Sequence, residues 1–155
     1  MAGSLRQSIK QGIIRAPGSD FFISRTITSS NITVAAKDFS SAATGRLYIY
    51  DVVFKTDATG LAGATNFQLT TTNAKGQTIV LAESVANLGA NKTVSMQNPK
   101  SQTSLSASSA PTILEAGQKL QYNGTTGAGT GAGTIDIFVL FQRVDENAQI
   151  GVSAA

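Results

Sequence analysis

From residue 20 to residue 144, apolar side chains recur mostly at every second position, the period of a half-buried β-strand. Strands are predicted over 21–28, over 32–39 with Ile32, Val34 and Ala36 on one side, and over 46–56. In the last of these, Tyr48, Tyr50, Val52 and Phe54 alternate with Leu47, Ile49, Asp51 and Val53. Asp57-Ala-Thr-Gly60 carries Asp at the first and Gly at the fourth position of a type I turn. A strand over 66–72 with Phe67, Leu69 and Thr71 inward then turns through Asn73-Ala-Lys-Gly76 into a partner over 78–84. Shorter strands follow over 92–97, 112–115 and 119–122, the last two flanking a turn at Ala116-Gly117. A polar, serine-rich loop over 98–111 separates the first of these from the second. The closing strand, 134–144, sets Ile135, Ile137, Val139 and Phe141 against Asp136, Phe138, Leu140 and Gln142. Apolar residues on both its sides predict a central strand covered on both faces.

Eight or nine short strands punctuated by Gly, Pro, Asn and Ser, with no helix between them, predict an all-β fold, an antiparallel β-sandwich. A jelly roll is the first choice at this size, and an immunoglobulin-like sandwich is the competitor. No fixed-period repeat speaks for a propeller or solenoid. At 155 residues, one core is the expectation: a single β-sandwich domain over 19–155, preceded by an N-terminal arm over 1–18.

The arm changes period. Leu5, Ile9 and Ile13 recur every four residues with Arg6 and Lys10 on the neighbouring row, the pattern of a short amphipathic helix. Gly12 and Ala16-Pro17-Gly18 cut it short, and isolated helices of this length are marginal in water. Such an arm orders against a partner, or it is a frayed terminus or an extra helix packed on its own domain. It also accounts for the charge. Of twelve basic residues, Arg6, Lys10 and Arg15 lie in the arm with no acid beside them, which is the whole net charge of +3. The remaining nine bases face nine acids, so the body lacks the basic stripe of a nucleic-acid binder.

Composition narrows the chemistry. With no His and no Cys there is no Ser-His-Asp triad, no Cys-His pair and no zinc site of the usual ligands. That absence leaves an enzyme only a carboxylate or Ser-Lys mechanism, in a chain where Ala, Gly, Ser and Thr fill 70 of the 155 positions. The run Gly127-Ala-Gly-Thr-Gly-Ala-Gly133 imitates a dinucleotide fingerprint, but it leads into a strand, where the fingerprint must open a helix. It reads as a flexible hairpin loop. Asp51 and Asp57 flank a strand end and Asp145-Glu146 follow the last strand, without the spacing of a calcium loop. Tyr48, Tyr50 and Tyr122 read as packing residues before they read as stacking platforms for bases. No apolar run reaches the length of a membrane helix, and no secretory leader is visible. The Asn-X-Thr triplets at Asn31, Asn91 and Asn123 fit chance in so Thr-rich a chain.

Three traits together resemble the small jelly-roll cement or decoration proteins of tailed-bacteriophage heads. They are the hydroxyl-rich body without Cys or His, the arm Ser4-Leu-Arg-Gln-Ser-Ile-Lys-Gln-Gly-Ile-Ile-Arg15, and an ending in which Leu114-Glu-Ala-Gly-Gln-Lys-Leu120 precedes the glycine loop and final strand. The resemblance implies a non-enzymatic structural protein of the virion, often trimeric, made in the host cytoplasm and seated on the outer capsid. There it would bridge and stabilise major capsid protein subunits, without cofactor, metal, small-molecule substrate, nucleic acid or membrane as partner. Leu5, Arg6, Ile9, Lys10, Ile13, Ile14 and Arg15 are then the partner-docking residues. A receptor- or glycan-binding module of a phage tail or cell surface, and a shell-forming coat protein, are the competing expectations.

Overall fold

The computed structural model describes residues 20–73, 76–96 and 112–154. They hold nine strands: β1 (Asp20–Thr28), β2 (Lys37–Asp38), β3 (Leu47–Thr56), β4 (Asn66–Asn73), β5 (Gly76–Ser84), β6 (Thr93–Ser95), β7 (Thr112–Leu114), β8 (Leu120–Thr125) and β9 (Thr134–Arg143). One sheet runs β1-β9-β3-β6, with β7 pairing the other end of the same β3 edge as β6; the second runs β2-β8-β4-β5. All pairings are antiparallel.

The pairs β1 with β9, β2 with β8, β3 with β6 and β7, and β4 with β5 are those of one long hairpin whose tip lies between β4 and β5. Rolling that hairpin lays β9 beside β3 and β8 beside β4, which closes two four-position sheets. That connectivity is a jelly roll. Both inner faces feed one core, with Leu47, Ile49, Val52 and Phe54 of β3 and the odd residues 135–141 of β9 meeting Phe67, Leu69, Leu120 and Tyr122 of the second sheet. The Phe54 and Phe67 rings meet edge to face across the sandwich at 5.2 Å.

Several strand expectations are corrected. The 32–39 segment keeps a ladder only at Lys37–Asp38. Before it, Ile32 is buried but its carbonyl accepts from Gly129 N–H, and Thr33 and Val34 carbonyls accept from β8, so the backbone is tied down without forming a strand. In β3, a bulge at Tyr50 breaks the alternation. The extra residue reverses parity beyond it, so Leu47 and Ile49 share the core with Val52 and Phe54, and Asp51 turns outward with Tyr48 and Val53.

The glycine run is not a hairpin, because β8 and β9 belong to different sheets. It is also pinned: Gly129 and Thr130 donate to the Ile32 and Ala62 carbonyls, and Gly131 and Gly133 carbonyls accept from Ser30 and Ser29. A Cβ on Gly129 or Gly133 would sit about 2 Å from a backbone oxygen, of Ser29 and Gly60 respectively. These glycines serve close backbone approach at the place where the chain crosses between sheets.

Candidate interaction surface

Alternation on β9 decides what the five-stranded sheet presents on its outer side. With Ile135, Ile137, Val139 and Phe141 buried, Asp136, Phe138, Leu140 and Gln142 must point away from the core. Register then sets four cross-strand rows. Asp20, Gln142, Tyr48 and Ile113 form the first, Phe22, Leu140 and Asp51 the second. Ser24, Phe138, Val53 and Ser95 form the third, Thr26, Asp136, Lys55 and Thr93 the fourth.

The middle of this grid is apolar. Phe22 is 62% exposed, its ring centre lies 6.5 Å from that of Phe138, and Leu140 and Val53 complete the cluster. Ile113, 44% exposed, stands beside Tyr48 in the first row. The rim is polar, with Asp20, Asp51, Asp136 and Lys55 among its residues. Asp136 accepts a 2.5 Å hydrogen bond from the Thr26 hydroxyl, which fixes its carboxylate at the edge of the patch. All nine described strands belong to the two sheets, so no strand lies over this outer face, on which Val53, Phe138 and Leu140 are half-buried.

The sequence signal for this surface was the pair Phe21-Phe22. Two adjacent aromatics in one strand cannot both face the core. Phe21 stacks on Phe141 at 5.2 Å under the Arg143 guanidinium, and Phe22 is forced outward. Ile113 was legible only through its pairing with Tyr48. The arm residues Leu5, Arg6, Ile9, Lys10, Ile13, Ile14 and Arg15 lie outside the described residues.

The remaining candidates resolve into structural roles. Asp57 caps its turn: its carboxylate accepts from the Gly60 and Thr59 amides and from the Thr134 hydroxyl, and those bonds hold its pKa below the usual range. Asp145 pairs with Arg46 through both carboxylate oxygens, which lowers its pKa, while Glu146 points to solvent. Asn123 is buried, hydrogen-bonded to Gln68 and to the Val34 carbonyl, and so is no glycan acceptor in the folded chain. Tyr122 lines the core, and burial pushes its hydroxyl pKa up.

A shallow groove of about 550 Å³ opens where β1 and β2 bring the two sheets together, lined by Arg25, Asn31, Ala36, Lys37, Asp38 and Tyr122. Its charges are spent on the seam itself. Arg25 donates to the Asp38 carbonyl and sits over the Tyr122 ring, while Lys119 and Gln121 hold the Asp38 carboxylate and lower its pKa. Among the described residues, no three His, Cys, Asp or Glu gather into a metal-binding group.

No family model matches the chain, and no curated protein matches its sequence. Solved structures resemble it in fold only. The nucleoplasmin-like N-terminal domain of Drosophila FKBP39 aligns over 85% of this chain and 98% of its own, at 11% identity and a TM-score of 0.39. The capsular polysaccharide assembling protein CapF of Staphylococcus aureus aligns over 87% of this chain and 28% of its own, at 11% identity and a TM-score of 0.32. A chain of infectious bursal disease virus, Gx strain, aligns over 85% and 39%, at 13% identity and a TM-score of 0.22. At these scores the likeness is one of general strand packing.

Proposed function

We propose that the protein is a non-enzymatic structural component of a virion, a cement or decoration protein of a tailed-phage head. In this reading it binds the outer capsid and stabilises contacts between major capsid protein subunits. The observation that carries it is the contiguous apolar cluster of Phe22, Val53, Phe138 and Leu140 on a rigid sheet, the kind of surface that marks contact with another protein segment. The acid-free arm, with Leu5, Ile9, Ile13 and Ile14 beside three cations, is a second surface of the same kind. A protein with two apolar surfaces to bury is suited to work by burial. The virion setting itself comes from the sequence resemblance.

Anything that binds the assembled shell more tightly than its separated subunits stabilises the shell by mass action. The arm is assigned to the capsid contact, since its apolar positions and three positive charges suit a groove between subunits. The test is co-sedimentation of the purified protein with heads of the phage whose genome encodes it. The full chain should pellet saturably with heads and raise the temperature at which they release DNA. A chain lacking residues 1–18 should bind at least tenfold more weakly. Equal binding of the two removes the arm from the contact, and no binding to heads by the full chain overturns the reading.

A further inference from the structure

A sheet edge offers a row of N–H and C=O groups to any other strand, and proteins blunt it with short strands, bulges, Pro or Lys. Here β2 has two residues, β6 and β7 have three each, and β5 carries a bulge at Val80. The β1 edge differs: nine residues, an unbroken register with β9, and neither Pro nor Lys. At the end of that ladder the Ser29 amide donates to the Gly133 carbonyl. Bonded pairs recur at every second residue of an antiparallel ladder, so Ile27, Arg25, Ile23 and Phe21 also turn their backbone groups to β9. The amides and carbonyls of Phe22, Ser24 and Thr26 therefore point to the outer edge. Among the described residues no backbone group pairs with them there. The side chains of these three residues are exposed as well.

We propose that this edge of β1 pairs antiparallel with β1 of a second copy of the chain, about a two-fold axis at Ile23. The two β1-β9-β3-β6 sheets then form one continuous sheet. The rows of the outer face select both the occupant and the register. Edge-facing residues are even-numbered in both copies, so Phe22 can stand opposite the partner's Phe22, the partner's Ser24, the partner's Thr26 or the partner's Thr28. Only opposite the partner's Ser24 does the apolar second row, Leu140 and Phe22, run into the apolar third row, Ser24, Phe138 and Val53, and the reverse. Opposite the partner's Phe22, the third row would meet the partner's Asp20. In the remaining two registers an apolar row would meet the partner's Thr26 and the partner's Asp136. On the inner side of the chosen register, half-buried Ile23 meets the partner's Ile23, and Phe21 meets the partner's Arg25. Asp20 and Arg25, the charges of the strand, lie on opposite faces, and neither is set opposite a like charge. The two clusters of Phe22, Val53, Phe138 and Leu140 become one strip across the axis. A foreign strand would extend that strip only if it brought an apolar sheet face in this register, which a second copy does by symmetry.

The pairing belongs to the free protein and does not rest on the capsid reading. In sedimentation equilibrium the full chain should pass from 16.0 kDa towards twice that mass as its concentration rises through the micromolar range. Ser24→Pro removes a donor that points to the edge and spares the ladder to β9. It should weaken association at least tenfold and keep a single urea transition. Phe22→Lys places a charge on the same edge, should weaken association similarly, and decides the matter if the proline variant does not fold. The native chain has no Cys, so single cysteines read the register. Under mild copper–phenanthroline oxidation, Ile23→Cys, on the axis, should close a disulfide-linked dimer at least tenfold faster than Phe22→Cys or Ser24→Cys. Those two would face their own copies along a diagonal of about 7–8 Å, beyond disulfide reach. A monomer throughout the concentration range overturns the proposal and leaves the edge to a strand of another protein. Faster closure at position 22 or 24 overturns the register. Both results come from the free protein alone, so they are separate from a failure to bind heads.

Discussion

At the residue scale, glycine is used here for proximity more than for flexibility. Gly133 ends the crossing loop and lies so close to Gly60 that an added Cβ would fall 1.8 Å from the Gly60 carbonyl oxygen, with the Gly60 carbonyl carbon at 2.8 Å. Gly60 cannot yield easily, because its amide is held by Asp57 and its own φ is 76°. Gly133→Ala should therefore destabilise the protein by about 1–3 kcal/mol, the range for inserting a carbon into a filled site. Gly89→Ala is the matched control, since a Cβ there meets nothing within 4 Å. It should stay within about 0.5 kcal/mol of the parent. Urea midpoints of the two variants decide it, and equal midpoints would return the glycine run to a merely flexible loop. Proximity of this kind was invisible in the chain, where Gly127 to Gly133 reads as low complexity, because Gly60 is more than seventy residues away.

At the element scale, what the sequence disclosed was the period, and what it concealed was the bulge. The long strands were legible because β9 alternates without interruption, so its core residues Ile135, Ile137, Val139 and Phe141 fall where the pattern puts them. In β3 the same reasoning misplaced half the strand, because one extra residue at Tyr50 reverses parity and nothing in Tyr48-Ile-Tyr-Asp51 announces it. The arm stood out by its change of period and charge, whereas the sheet face emerged only from pairing register, which no local pattern encodes. Contact between the sheets has a clean probe in Phe54 of β3 and Phe67 of β4, both fully buried and meeting at 68° between ring planes. Phe67→Ala should cost about 3–5 kcal/mol. A double-mutant cycle with Phe54→Leu should return a coupling of about 0.5–1.5 kcal/mol, the range for aromatic pairs. Coupling near zero would mean that the sandwich is held by area alone, without a specific ring contact.

At the scale of the whole molecule, the rolled hairpin makes the two ends of the fold depend on each other. The first strand pairs along its full length with the last, Asp20 opposite Gln142 through Thr28 opposite Thr134, and β9 lies between β1 and β3. A chain ending at Gly133 would strip β1 of its partner and β3 of its longest ladder. It would also open Phe67, Leu69, Leu120 and Tyr122 of the other sheet to water. It should fail to unfold cooperatively in urea and should aggregate. A chain lacking residues 1–18 keeps every described pairing and should retain a single sharp transition. Refolding of the intact protein should fall in the millisecond-to-second range, because its native ladders join residues far apart in sequence. A cooperative transition in the chain ending at Gly133 would show that the β2-β8-β4-β5 sheet carries stability of its own. The two sheets would then be separable units.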